Sequence, residues 1–394
     1  MTVLLGIQQV DPWLQFNPHI LSGYRPRMST RAALRSFFTW HNESLNIWTH
    51  AIAALFVLYL TLYPPRVDPT TSFSVNNNNN NNNNHININN NINDVSLVGA
   101  PHYHRPQHIY ETGWILSSNP TIVFQSTCVI LLFIFLCSVS YHLFMPCVRS
   151  ETSYRRLMNC DVLGVITSIT GTSWSFLYHG NACSLDWNFH SGVLLSLLLI
   201  SFLLVTYSVI FAVQCGAKGR AKAIGFHLFL RLGLMLWIEV PKVQSQGYHQ
   251  AVNYHVLSYI FIMIGGIVNA LRFPEKYMRH IPRPSSLSLL LSTTTTTGGE
   301  REEGEGGIVL NSRTEEGEKN GTLLKHTEGK TSDMMITMMM TRFWRWFGFY
   351  VISGEEIDYA WNSHNLWHYC VILSATSMLL SCYYDLEEFE LARC

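Results

Sequence analysis

The sequence predicts an all-α membrane protein, a bundle of seven transmembrane helices with a cytosolic N-terminus and a luminal or extracellular C-terminus. Three observations carry this. Seven stretches are long and apolar enough to cross a hydrocarbon core, which takes about 20 residues. Only 13% of the 394 residues are charged against 48% hydrophobic, roughly half the ~25% charge of a soluble domain. Basic residues crowd alternate ends of the apolar runs. The formal net charge is zero, so no global field marks the chain as a nucleic-acid binder.

Taken in order, residues 1–45 form an expected cytosolic segment. Met1 to Val10 has neither a basic start nor an apolar core, so no secretory signal peptide is expected. The transmembrane domain then occupies residues 46–383. Its spans run from Asn46 to Tyr63, Pro120 to Phe144, Cys160 to Tyr178, His190 to Val213, Ala221 to Val240, Val252 to Leu271 and Trp361 to Tyr383. A short tail of residues 384–394 follows.

Arg25, Arg27, Arg31 and Arg35 precede the first span. Arg149, Arg155 and Arg156 follow the second, and Lys218, Arg220 and Lys222 follow the fourth. Eleven basic residues lie between Arg272 and Arg345, after the sixth. The opposite side holds only Arg66, Arg105, Lys242 and Arg393. The positive-inside rule therefore sets the orientation.

Two polar segments interrupt the pattern, the Asn-rich run of residues 76–93 and a Ser/Thr/Gly/Glu-rich stretch at about residues 283–340. Their composition cannot build a core, and both read as low-complexity insertions. Met334 to Ser353 is apolar but centred on Arg342 and Arg345 among four aromatic residues. Spanning would cost about 5 kcal/mol for the two arginines, so this segment is expected to lie in the interface.

His364 and His368, in the block Asn362 to His368 (NSHNLWH), sit four apart and share a helical face. That spacing suits two imidazoles on one metal ion. With seventeen histidines in the chain, the pair alone is near chance. Topology adds to it: His142 falls at the cytosolic end of the second span, Asp161 at the cytosolic start of the third, and the pair in the first turns of the seventh. Three histidines with one open position are the pattern of a catalytic zinc site. Asp161 then fits as a general base, and Ser138, one turn from His142, as an orienting hydroxyl. Each residue also has a plainer role: a buried serine returns its proton to its own helix, and an aspartate or histidine caps a helix end.

The same residues carry a resemblance. Cys137 to Phe144 (CSVSYHLF), Asn159 to Gly164 (NCDVLG), Gly23 to Pro26 (GYRP), His41 to His50 (HNESLNIWTH) and Asn362 to His368 together resemble the progestin and adipoQ receptor family, akin to the haemolysin III proteins. Leu14 to Asn17 (LQFN), Leu34 to Phe37 (LRSF), Gly265 to Asn269 (GGIVN) and Arg272 to Lys276 (RFPEK) narrow it to one branch. The resemblance implies a seven-helix bundle oriented opposite to G-protein-coupled receptors. It implies that His142, His364 and His368 bind one zinc ion near the cytosolic leaflet, with Ser138 and Asp161 beside it. It further implies a receptor or a ceramidase-like hydrolase.

Glu43, Asn46 and His50 share a face at the start of the first span, where hydrogen bonding to neighbours competes with a catalytic role. Arg231 and Glu239 are intramembrane charges expected to face the bundle interior. Among nine cysteines there is no CxxC; only Cys183 and Cys394 are expected outside, as a pair or as two free thiols. The sequons at Asn42 and Asn320 are expected to be cytosolic and unglycosylated.

Two functions remain open at this point. One is a zinc-dependent amidase acting on a membrane lipid such as ceramide. The other is a receptor or scaffold in which zinc only fastens helices. A transporter is disfavoured, because no internal repeat or broken helix pair is visible. The expected partners are a membrane lipid or lipid-like ligand and proteins at the cytosolic loops, in the plasma membrane or the Golgi and other endomembranes.

Overall fold

A computed structural model describes residues 3–65, 120–181, 187–246, 250–278 and 356–392. The Asn-rich run, the second insertion, the interfacial segment Met334 to Ser353, the Asn320 sequon, Cys183 and Cys394 lie outside the described residues.

The described residues contain helices and no strand. In chain order they are α1 (Thr30–Ser36), α2 (Ser44–Leu62), α3 (Pro120–Phe144), α4 (Glu151–Gly171), α5 (Ser173–Asn181), α6 (Trp187–Gln214), α7 (Gly216–Gln246), α8 (Gln250–Leu271), α9 (Glu275–Met278), α10 (Glu356–Tyr359) and α11 (Ser363–Ala392). Two compact units are formed, residues 1–46 with 265–368, and residues 47–264 with 369–394.

Six helical stretches are long and apolar enough to cross a membrane: Ser44–Leu62, Thr121–Cys147, Leu195–Ala212, Lys218–Pro241, Gln250–Tyr277 and Ser363–Glu387. They match six of the seven expected spans. Their outward residues are apolar: Leu199, Ile200, Phe202, Leu203 and Ile210 of α6 are all exposed, as suits a surface that meets lipid tails. The last helix continues nine residues beyond the expected end of its span, from Tyr383 to Ala392.

The expected third span, residues 160–178, falls on the second half of α4 and on α5, which are not among the six. Ser168, Thr170, Thr172, Ser173 and Ser175 make this stretch too polar to face lipid, yet Ile166, Phe176 and Leu177 are fully buried. Neighbouring helices cover it instead. Three of its hydroxyls return to their own helix: Ser168 donates to the Val165 carbonyl at 2.9 Å, Thr170 to Ile166 at 3.0 Å and Thr172 to Ser168 at 2.7 Å. Such back-bonding removes most of the cost of burying them.

Glycine sets the α3–α4 approach. A Cβ on Gly164 would stand 3.1 Å from both the Ile134 Cα and the Cys137 Cβ, and one on Gly171 would stand 3.1 Å from Ile130. Two turns apart on α4, these glycines let the two backbones close together. At that seam Cys137 and Cys160 touch as free thiols, 3.5 Å between sulfurs.

Candidate metal centre and its surroundings

His142 is fully buried in the last turn of α3. Ser138 lies one turn earlier and is also buried. The close packing at Gly164 brings Asp161, one turn earlier on α4, against this face. The Ser138 side chain and the His142 imidazole both lie near the Asp161 carboxylate. The structure therefore brings together Ser138, His142 and Asp161 in one unit.

Two tyrosines not anticipated from the sequence frame this corner. The Tyr141 ring lies 4.7 Å from that of His142, and the Tyr141 and Tyr154 hydroxyls hydrogen-bond at 2.7 Å. The signal was spacing alone: Tyr141 adjoins His142, and Tyr154 starts α4 on the face that Asp161 continues two turns later.

His364 and His368 occupy the first turns of α11 with ring centroids 5.0 Å apart. The helix start is tightly specified. Asn362 is its cap, its side-chain oxygen accepting from the His364 and Asn365 amides at 3.1 Å each. The buried Glu275 accepts from the Ser363 amide at 2.7 Å, from the Ser363 hydroxyl and from Asn17 at 2.9 Å. A carboxylate there also complements the positive end of the helix dipole. Asn365 donates to Asn46 at 2.7 Å, and Asn46 donates to Glu43 at 2.8 Å.

The His41 to His50 block thus acts structurally for Glu43 and Asn46, while His50 packs edge-on against Phe135 at 5.1 Å. The GYRP block is explained by Gly23, whose φ of 84° favours glycine. Any Cβ there would fall 2.8 Å from the Tyr359 ring.

An apolar cleft of about 320 Å³ opens among α2, α3 and α11, lined chiefly by Ile52, Phe56, Phe135, Ile372 and Leu379. Phe135 is seven residues before His142 on the same helical face.

Arg231 of α7 is buried, as expected, donating to the Thr172 hydroxyl at 2.6 Å and the Tyr259 hydroxyl at 3.2 Å. Its guanidinium lies 5.4 Å from the Phe176 ring centre and 5.3 Å from that of Tyr259, a cation–π arrangement. His227 is a satisfied core histidine, bonded to Thr170 at 2.8 Å and Ser208 at 2.9 Å. Among the described residues, Glu239, His255 and Asp385 form a group of three possible metal ligands within one unit; His142 belongs to that same unit, and the adjacent His364 and His368 to the other.

Six long apolar helices define an integral, multi-pass helical membrane protein. The haemolysin-III related family model matches residues 38–379, and the chain belongs to that family, which includes the progestin and adipoQ receptors. Human progestin and adipoQ receptor family member 3 is 28% identical over 210 residues, 53% of this chain and 51% of that protein. Human member 4 is 46% identical over 65 residues, 15% and 24% of the two chains. Heptahelical transmembrane protein 1 of Arabidopsis thaliana is 41% identical over 59 residues, 15% and 18%. The match to member 3 spans about half the length of that curated relative.

Proposed function

We propose that this chain is a seven-span, receptor-like zinc protein that hydrolyses the amide bond of a ceramide-type membrane lipid. Its metal ligands in this reading are His142, His364 and His368. The donor set fits the ion: three imidazoles without a carboxylate suit zinc and leave a fourth position open. Bound zinc supplies a Lewis acid that polarises a carbonyl and acidifies water toward a pKa of ~7. Asp161 accepts the proton of the attacking water and returns it to the leaving amine as the C–N bond breaks. Ser138, beside it, orients the reacting groups with its hydroxyl. The cleft beside Phe135 takes the acyl chain.

The observation that carries this reading is the Ser138–Asp161–His142 cluster near that apolar cleft. In this reading α4 and α5 form the missing span, as in a heptahelical relative, with the N-terminus cytosolic. Zinc that only fastens helices is the competing reading, favoured by the dense hydrogen bonding at the start of α11.

Zinc content and ceramide turnover of the purified protein separate the two. The amidase reading expects Asp161→Asn to keep zinc and fold while turnover drops about 10²- to 10⁴-fold. Wild-type protein that binds zinc but turns over no ceramide or related lipid would sink it, and unfolding of His364→Ala would then favour the fastening role.

A further inference from the structure

Far from His142 along α3, three helices each deliver one buried ligand to a common point. Glu239 of α7, His255 of α8 and Asp385 of α11 are 2%, 0% and 1% exposed. One ligand atom from each lies within 4.8 Å of the other two. The end of the bundle is fixed by the Cys382 sulfur, 3.9 Å from the Thr127 hydroxyl in the first third of α3. Thr127 and His142 are fifteen residues apart, roughly 22 Å along a helix.

The chemistry of this group calls for a cation. His255 Nε2 is 3.2 Å from Asp385 Oδ2, and the Ser175 hydroxyl is 3.5 Å from that same oxygen. His255 Nδ1, fully buried, has no hydrogen-bond partner among the described residues. Phe176 packs edge-on against the imidazole at 5.3 Å and excludes water from that side. Two carboxyl groups are buried here. Buried carboxylates are retained when paired or bound to metal.

We propose that Glu239, His255 and Asp385 form a second metal site, for a divalent ion of zinc-like borderline softness. One imidazole and two carboxylates match the ligand preferences of zinc. The site ties the ends of α7, α8 and α11 together. It stands whether or not the three histidines hold zinc, because its ligands are separate.

The test uses full-length protein in detergent, stripped of metal and re-equilibrated with zinc alone. His364→Ala, which disables only the histidine group, is expected to retain one zinc per chain. Adding His255→Gln or Asp385→Asn to that background is expected to abolish it. Zinc is also expected to raise the melting temperature of His364→Ala but not that of the doubly substituted proteins. This second reading holds even where a variant binds less metal because it folds poorly. No zinc bound to His364→Ala with its fold intact, or equal zinc in the doubly substituted proteins, overturns the proposal.

Discussion

The Asn365 side-chain amide donates to the Asn46 carboxamide oxygen at 2.7 Å, joining residues 319 positions apart in the chain. Asn46 passes the constraint on to Glu43 at 2.8 Å. Both asparagines are buried, so removing one strands a polar group on the other. Asn365→Ala and Asn46→Ala are each expected to cost about 1–3 kcal/mol of stability. The double variant should cost less than the sum of the two, because the shared bond is lost only once. Thermal unfolding of the four proteins in detergent measures this, and strict additivity would show that the bond carries no coupling.

Gly164 makes a second prediction. An added methyl would meet the backbone of Ile134 at 3.1 Å, and a backbone cannot rotate out of the way. Gly164→Ala should therefore push α3 and α4 apart and destabilise the protein by about 1–3 kcal/mol. Gly192, whose Cβ would meet nothing within 4 Å, is the control. Gly192→Ala should be neutral or slightly stabilising, since alanine favours a helix over glycine. Melting temperatures of the two variants moving together would defeat the packing argument.

What the sequence made legible follows from the range over which each signal acts. Hydropathy is local, so six spans were readable, and i, i+4 spacing placed His364 and His368 on one face. Topology and helical spacing together put Ser138, His142 and Asp161 at one end of the bundle. The α4–α5 stretch is harder to read. Its polar residues are neutralised by back-bonding and by neighbours that no local window contains. Glu239, His255 and Asp385 were invisible as a set because each sits alone on its helix, up to 146 positions apart. Asp385 moreover lies two residues past the expected end of its span, so it read as tail.

His41 sets a pH dependence. Burial, and after it the nearby Arg25 charge, push its imidazole down to about 3 from the ordinary ~6.5. Folded protein therefore keeps His41 neutral, its Nδ1 accepting the Glu43 amide at 3.1 Å, while the unfolded chain takes up a proton below about pH 6.5. The contribution is complete above that pH and is lost as pH falls toward 3, by up to about 1.4 kcal/mol per pH unit. His41→Asn removes the titration while keeping an acceptor. Between pH 7 and pH 5 the wild-type melting temperature should fall more steeply than that of His41→Asn. Parallel slopes would mean that His41 does not titrate on unfolding.

Arg231 tests how the bundle tolerates a charge in its core. Its partners are neutral hydroxyls and aromatic faces, so its stability depends on hydrogen bonds that a single substitution can remove. Thr172→Val preserves shape but deletes the 2.6 Å acceptor, leaving a charged donor unsatisfied at a cost of about 1.5–3 kcal/mol. Tyr259→Phe keeps the ring under the guanidinium and loses only the longer 3.2 Å bond, so its cost should be smaller. Arg231→Met, which removes charge and partners' obligations together at similar volume, is expected to be less harmful than Thr172→Val. Unfolding measurements that instead rank Arg231→Met as the worst of the three would show that the guanidinium contributes more than its desolvation costs. In that event the cation–π contacts with Phe176 and Tyr259, not the hydroxyl bonds, would be what keeps the arginine in the core.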